Sequence, residues 1–481
     1  MRKLILILGV PIDDLTMDEA LARVDEFVAN GRAQQRSHQI ATVNADFVVK
    51  ALHDPELRGI LQEADMATAD GMPLVWGARA LGLPLEGRVT GADMVPALAE
   101  RAAQKGYSLY FLGAAPGVAA RAAEILQAQH PGLQIAGVLS PPKSTVLEMD
   151  TAVLDDIRAA QPDILLVAFG NPKQEKWIAM HRHDLPVPVM IGVGGTFDFI
   201  AGKTRRAPEW MQKSGLEWLF RLANEPRRLW KRYVVDMAGF SSFFVRQWWL
   251  MRQGSKPSPV LPTTDVALLG DTAVLTLLGR LDISNHKAFA AKGREALAVA
   301  PRLIINLAQA EFIDSTGMGA LVGLRKQAVD AGGEVTLTAV PDAIHRALSM
   351  MRLDRLFEML PSVDEAMQHQ QHTPPAPQMV NGRWLVLPMP RRLDADTAAA
   401  FWQMAQSSLQ QSRYLALDFA ATVFLASAGL AVMGKLHREA QAQGGEVRLA
   451  NCAPDVQQTL KTVNFDKMMP LFANVQAATK A

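Results

Sequence analysis

The sequence predicts an α/β protein: one parallel sheet covered by helices on both faces, followed by two smaller α/β modules. Two observations predict this. Within residues 1–202 short apolar runs alternate with helical patterns, and strands that alternate with helices build parallel sheets. Farther on, Leu281-Asp282 and Leu393-Asp394, Phe312-Ile313-Asp314-Ser315-Thr316-Gly317 and Phe424-Leu425-Ala426-Ser427-Ala428-Gly429, Gly332-Gly333-Glu334-Val335 and Gly444-Gly445-Glu446-Val447, and Asp354 and Asp466 all stand 112 residues apart. One ungapped offset over four anchors marks an internal repeat. Each copy reads strand, strand, helix, strand, a Ser-Gly turn into a helix, strand, helix.

The elements follow in order. Leu4 to Leu8 stand behind Arg2 and Lys3, but the run is short. Pro11-Ile12-Asp13-Asp14 follows with no small-residue cleavage pattern, so a first buried strand is expected rather than a leader. Ile40 to Asn44 read as a strand end carrying two polar side chains, Thr42 and Asn44, and Asn44-Ala45-Asp46-Phe47 opens a helix. The short run ending at Ala69 meets Asp70-Gly71-Met72-Pro73, where the chain turns and a helix begins with Pro in its first turn. Asp70 is placed either to cap that helix or to stand at the mouth of a cleft beyond the strand ends. Arg88 follows in Gly87-Arg88-Val89-Thr90-Gly91. A carboxylate and a guanidinium on one cleft supply a base for a hydroxyl and a clamp for a phosphate.

Tyr107 to Gly113 is a strand, followed by Ala114-Ala115-Pro116-Gly117 and an Ala-rich helix to about Gln129. Ile164 to Gly170 is another, and Asn171-Pro172-Lys173-Gln174-Glu175 turns into a helix. Val189 to Gly195 is a further strand. The turns at Gly113 and Gly170 are expected to aim backbone N–H groups at one sheet edge, the arrangement that takes phosphate. Neither matches a GxGxxG or P-loop pattern, and ordinary βα turns are the alternative.

Residues 203–252 change character. They hold eleven Lys or Arg against four acids, and five of the nine tryptophans: Trp210, Trp218, Trp230, Trp248 and Trp249. Basic residues interleaved with Trp, Leu and Phe suit an anionic membrane surface. The alternative is a helical layer that turns its tryptophans onto the sheet. Linkers by composition lie at Gly254–Pro259 and around Thr373–Pro377. The domains expected are thus a core at 1–202, an appendage at 203–252, and repeat modules at 260–366 and 379–481.

The totals exclude several classes. A net charge of +1 argues against bulk nucleic-acid binding, and nothing resembles a groove-reading module. Cys452 is the one cysteine, so no internal disulfide forms, as befits a reducing compartment. No stretch reaches the ~18 apolar residues of a membrane span. The expected location is the cytoplasm, peripheral on the inner face of the cytoplasmic membrane.

Two family resemblances rest on these residues. Residues 1 to about 235 resemble the WecG/TagA/CpsF glycosyltransferases. The motifs are Gly9-Val10-Pro11-Ile12-Asp13, Thr42-Val43-Asn44, Ala69-Asp70-Gly71-Met72-Pro73, Arg88-Val89-Thr90-Gly91, Phe169 to Glu175, Gly194-Gly195-Thr196-Phe197-Asp198, and a tail from Arg205-Arg206-Ala207-Pro208-Glu209-Trp210 to Arg232. The resemblance implies a Rossmann-like sheet and inverting, metal-independent transfer. The donor would be a UDP-sugar, often of N-acetylmannosamine type, and the acceptor a polyprenyl-diphosphate-linked saccharide. It implies Asp70 as general base, Thr42, Asn44, Arg88 and Gln174 as pocket residues, and Arg221 and Arg228 as appendage cations. Lys231 stands where a third basic residue is expected, and Lys lacks the bidentate fork of Arg. Asn171 and Gly113, in the turns described above, complete the expected substrate-binding set.

The repeats resemble STAS domains, the fold of anti-sigma-factor antagonists. Asp314-Ser315-Thr316-Gly317 is that family's phosphorylation turn, which makes Ser315 the candidate for modification. The second copy keeps only Ser427 and Gly429 of it, and a helix N-cap is the alternative role for both serines. The partners so implied are a STAS-binding kinase or a protein of the polysaccharide machinery. No cofactor or metal is expected. The only Asp-x-Asp, Asp394-Ala395-Asp396, lies in the second repeat and reads as an exposed turn. The competing reading is a STAS-based scaffold with a degenerate transferase segment; retention of Asp70, Arg88 and Gln174 favours an enzyme.

Overall fold

The computed structural model describes residues 3–83, 85–142, 151–213, 216–224, 230, 237, 239–249, 264–371 and 376–480. The chain forms two compact units, one within residues 1–370 and one made chiefly of residues 371–481.

The first unit opens on an antiparallel hairpin, β1 (Leu4–Ile7) and β2 (Val10–Asp13), turned by Leu8 and Gly9. Both turn residues have positive φ, +51° and +84°, as a two-residue turn between right-twisted strands demands. The leading apolar run is therefore a buried strand, but of its own ribbon and not of the parallel sheet. Then come α1 (Met17–Gln34), β3 (His38–Val43), α2 (Ala45–His53), α3 (Pro55–Glu63), β4 (Met66–Ala69), α4 (Met72–Ala80) and α5 (Gly91–Lys105). Next are β5 (Ser108–Gly113), α6 (Val118–Gln129), β6 (Gln134–Leu139), α7 (Thr151–Ala160), β7 (Ile164–Ala168), α8 (Lys173–His181), β8 (Val189–Gly192) and α9 (Thr196–Ile200).

Strands β3 to β8 make one parallel sheet in the order β4-β3-β8-β7-β5-β6. β3, β4, β7 and β8 are buried along their whole length, which is why they lack polar alternation. Two apolar clusters flank the sheet, one around Val24, Leu98, Phe111 and Phe197, the other around Phe47, Val48, Leu57 and Leu74. α1 begins on a capping box, Thr16 with Glu19, a device whose single cap is worth about 1 kcal/mol.

After the sheet lie α10 (Glu209–Lys213), α11 (Glu217–Asn224) and a helix at 239–249, α12. The first repeat is β9 (Thr264–Leu269), β10 (Thr272–Leu281), α13 (His286–Val299), β11 (Arg302–Ile313), α14 (Ser315–Asp330), β12 (Glu334–Thr338), α15 (Asp342–Met350), β13 (Glu358–Leu360) and α16 (Val363–Gln371). Its strands form one mixed sheet in the order β13-β12-β11-β10-β9. In the second unit β14 (Gln378–Val380), β15 (Trp384–Pro388), β17 (Tyr414–Asp418), β19 (Glu446–Ala450) and β20 (Leu471–Phe472) build the matching sheet. Between them run β16 (Arg392–Leu393), α17 (Ala395–Gln411), β18 (Phe424–Leu425), α18 (Ser427–Ala442), α19 (Pro454–Thr462) and, last, α20 (Val475–Ala478).

Two sequence expectations change here. Neither repeat serine caps its helix. Asp314 caps α14 by accepting from the Thr316 and Gly317 N–H groups, and Ser315 is the first helical residue, 1% exposed. In the second copy Ala426 holds the cap position, with no side chain to do the work. Asp394 is not on an exposed turn either: it is buried at the start of α17, where its N–H donates to Thr397 Oγ1 at 3.0 Å. The linkers at Gly254–Pro259 and Thr373–Pro375 lie outside the described residues.

Candidate active site

The carboxyl ends of β3 and β4 are neighbours, so the segments that leave them meet. Asp70 continues the ladder for one step, its N–H donating to the Val43 carbonyl. The chain then turns sharply at Gly71, whose φ of +139° an L side chain adopts only under strain. Gly71, not Asp70, is the cap residue of α4, and no side chain bonds that helix end. Asp70 instead points across to the start of α5, with Oδ2 accepting from the Gly91 N–H at 3.4 Å.

Asp70 lines a cavity of about 440 Å³. Its polar rim holds Asn44, Asp46, Arg88 and Glu217 as well. The rest of the lining is largely apolar: Met72, Trp76 and Ala80 from α4, with Phe240 and Phe244 from α12, and Met237. The two phenylalanine rings stack at 5.5 Å and lie over Gly77. One cavity thus joins a carboxylate and a cation to a wall suited to hydrocarbon.

Arg88 reaches Glu217 of α11 (3.5 Å) and Asp93 of α5 (3.9 Å). Asp93 also accepts from the Thr90 hydroxyl (2.7 Å) and pairs with Arg206 (2.6 Å). Burial pushes the Asp93 carboxyl up, but Arg206, Thr90 and Arg88 outweigh it and hold it below the usual carboxylate range. Burial likewise works against the charge on Arg206; Asp93 restores it, with Glu217 and Asp70 adding their fields. Arg206 keeps two buried groups, Nε and Nη2, with no hydrogen-bond partner among the described residues. Buried guanidinium N–H groups left unmade are costly, and Arg206 itself does not line the cavity. Asp46, Glu217 and Arg206 were not picked out from the sequence. For Arg206 the signal was present in the Arg-Arg-Ala-Pro motif, but nothing in a linear motif tells which arginine turns inward.

The other expected site residues fall into three groups. Asn44 lines the cavity while its Oδ1 caps α2 by accepting from the Phe47 N–H at 3.2 Å. Asn171 touches the rim: its Nδ2 donates to Asp46 at 3.1 Å, and Lys50 bridges the Asp46 carboxylate (2.9 Å) and the Asn171 carbonyl (3.1 Å). The Asn171-Pro172 bond is cis.

Thr42, Gln174 and Gly113 do not line the cavity. The Thr42 hydroxyl is buried and donates to the Gly192 carbonyl at 3.0 Å. Gln174 is buried too, and its Oε1 accepts from both the Gly170 N–H (3.1 Å) and the Gly194 N–H (3.0 Å), tying together the loops after β7 and β8. The Gly170 N–H expected to face a phosphate is therefore taken. Gly113 closes β5, and the next N–H, of Ala114, donates to Ala168. α6 and α8 start only at Val118 and Lys173, so neither glycine opens its helix directly. Beside Gln174 the Glu175 carboxyl is wholly buried, and burial pushes it up to about 8 against the Gln174 hydrogen bond and the Lys50 charge.

Arg221 stands on α11, its side chain outside the described residues, and Arg228 and Lys231 lie outside them altogether. Of the appendage tryptophans, Trp210, Trp230 and Trp249 are exposed by 63%, 48% and 56%, which contradicts a layer that packs them all inward. Among the described residues no helix is long and apolar enough to cross a membrane, and no cluster of three or more His, Cys, Asp or Glu is disposed to hold a metal ion.

The model of the STAS domain matches residues 263–366 and 377–478. Among solved structures, an anti-sigma factor antagonist from Mycobacterium paratuberculosis is 24% identical over 24% of this chain and all of its own, with a TM-score of 0.23. An N-acetylglucosaminyldiphosphoundecaprenol N-acetyl-β-D-mannosaminyltransferase of Bacillus spizizenii is 35% identical over 201 residues, 42% of this chain and 76% of its own. The protein of the same description from Bacillus subtilis is 34% identical over 195 residues, 40% of this chain and 74% of its own. The model of the glycosyl transferase WecG/TagA/CpsF family matches residues 5–254. The chain belongs to that family: it is a WecG/TagA/CpsF glycosyltransferase followed by two STAS domains.

Proposed function

We propose that the protein moves an N-acetylmannosamine-type sugar from its UDP donor to a saccharide carried on a polyprenyl diphosphate, with inversion at the anomeric carbon. The observation that supports it most is the shared cavity, lined by Asp70 and Arg88 together with an apolar wall. The two relatives' names state transfer of an N-acetyl-β-D-mannosaminyl group to N-acetylglucosaminyldiphosphoundecaprenol for them.

In the reaction an acceptor hydroxyl attacks the anomeric carbon from the face opposite the UDP. The new C–O bond forms as the bond to the diphosphate oxygen breaks. The hydroxyl proton passes to the Asp70 carboxylate, and the electron pair leaves with UDP. Positive charge builds on the sugar, as in glycoside hydrolysis, and negative charge on the diphosphate. Arg88, on the cavity rim, receives that charge, and Arg206 adds its positive field from behind Asp93. Met72, Trp76, Phe240 and Phe244 receive the first isoprene units of the acceptor. The exposed Trp210, Trp230 and Trp249, among eleven basic residues, rest on the inner face of the membrane from which the acceptor comes.

The test is an assay of a UDP-sugar panel on a short-chain lipid diphosphate acceptor, with Asp70→Asn in parallel. The variant should keep UDP-sugar binding and lose ~10²–10⁴-fold in turnover. Wild-type turnover should persist in EDTA, because arginines receive the leaving charge. Full activity of the variant, or loss in EDTA with rescue by Mn²⁺, would overturn the mechanism.

A further inference from the structure

The first STAS domain is built into the transferase. Leu6 of β1 belongs to the apolar core of the repeat, packed among residues such as Leu281, Met318 and Leu353. α14 lies against β1 so closely that a methyl group on Gly319 would stand 2.6 Å from the Leu4 carbonyl oxygen. The hairpin tip meets the end of α15: a side chain on Gly9 would run into the Met351 carbonyl. Ion pairs frame the seam, Lys326 with Asp65 (3.2 Å), Arg325 with Glu63 (3.4 Å) and Arg36 with Asp330 (2.8 Å). All three join the transferase segment to α14.

One buried side chain ties this seam to the cavity. Gln247, on α12, is wholly buried. Its Nε2 donates to the Leu6 carbonyl (2.9 Å) and to Ser315 Oγ (3.1 Å), and its Oε1 accepts from the Leu8 N–H (2.9 Å). The hairpin, the repeat and α12 thus converge on one amide. The same helix, one and two turns earlier, presents Phe244 and Phe240 to the cavity that holds Asp70.

We infer that the first STAS domain acts as an intramolecular clamp. Docked on the hairpin, it holds α12 in place as the apolar wall of the cavity, with Gln247 as the positioning residue. The inference rests on the reading of that wall as the acceptor side. It assigns α14 a partner, the hairpin of its own chain, and it makes acceptor use depend on docking. An unpaired Gln247 would leave the Leu6 carbonyl and Leu8 N–H unmade in the interior, so the seam and the wall open together.

The second repeat supplies a clean probe. It carries Ala431 at the position equivalent to Gly319, so alanine there is compatible with the fold of the module. Gly319→Ala also favours the helix while pushing on Leu4. In full-length protein, Gly319→Ala and Gln247→Ala should each raise hydrogen exchange at the Leu8 amide about tenfold or more. Each should raise KM for the lipid acceptor about tenfold, with KM for the UDP-sugar and kcat within twofold of wild type. The double variant should add little to either single one, since both open the same seam. Unchanged exchange at Leu8 would overturn the clamp whatever the activity. Raised exchange with unchanged acceptor KM would overturn the coupling, and equal losses for donor and acceptor would overturn the assignment of the wall. A wild type that moves no sugar in the panel assay would instead sink the acceptor reading and leave the exchange result to judge the docking.

Discussion

Arg206 shows how much depends on single atoms. It is paired with Asp93 on one nitrogen, and two further buried nitrogens, Nε and Nη2, have no partner among the described residues. Arg206→Ala should lower kcat by ~10²–10³-fold, the scale of losing a preorganised donor to a developing anion. Arg206→Lys should recover less than a tenth of that loss, since Lys restores charge but not the fork. Steady-state rates with the preferred donor decide it; equal activity of the Lys variant would show that charge alone suffices. Glu175 makes a prediction about pH. Its folded pKa, about 8, lies above the ordinary 4.5, so the fold favours the protonated form. Its favourable contribution is present below the unfolded value and is lost as pH rises toward 8. Glu175→Gln should therefore melt several degrees above wild type near pH 8, and the gap should close below about pH 4.5. A gap that widens on acidification would contradict the assignment of a buried neutral carboxyl.

Among the elements, the segment after the sheet does the most varied work. α11 brings Glu217 to Arg88, and α12 brings two phenylalanines to the cavity and Gln247 to the hairpin. The same segment leaves Trp210, Trp230 and Trp249 in solvent. Exposed tryptophans beside basic residues are suited to the boundary of an anionic bilayer. Replacing Trp210 and Trp249 by Ala should weaken binding to vesicles containing anionic lipid by roughly tenfold, with turnover on a soluble short-chain acceptor unchanged. Sedimentation with vesicles measures the first, and unaltered sedimentation would remove the membrane from the account.

For the whole first unit, the seam changes the standing of Ser315. From the sequence it stands in a phosphorylation turn; in the fold it is sealed under Gln247 and the hairpin. A dianionic phosphate there would be buried against the Gln247 amide and one residue from the Asp314 carboxylate, an arrangement that costs several kcal/mol. Modification therefore requires the seam to open first, which joins any chemistry at Ser315 to the wall of the active-site cavity. Ser427, in the second module, is half-buried.

Much was written in the linear pattern. The alternation of apolar runs and helices announced the parallel sheet and the 112-residue offset announced the twin modules, because these signals are local or periodic, while the Asp-Gly-Met-Pro turn left Asp70 between a helix cap and a cleft. What the linear pattern left open is pairing over distance. Whether Thr42 and Gln174 face a ligand or backbone groups, which arginine turns inward, and that Leu6 completes the core of a module three hundred residues later are decided by which buried groups must find partners when the chain closes on itself. That requirement acts in three dimensions, and only the folded chain meets it.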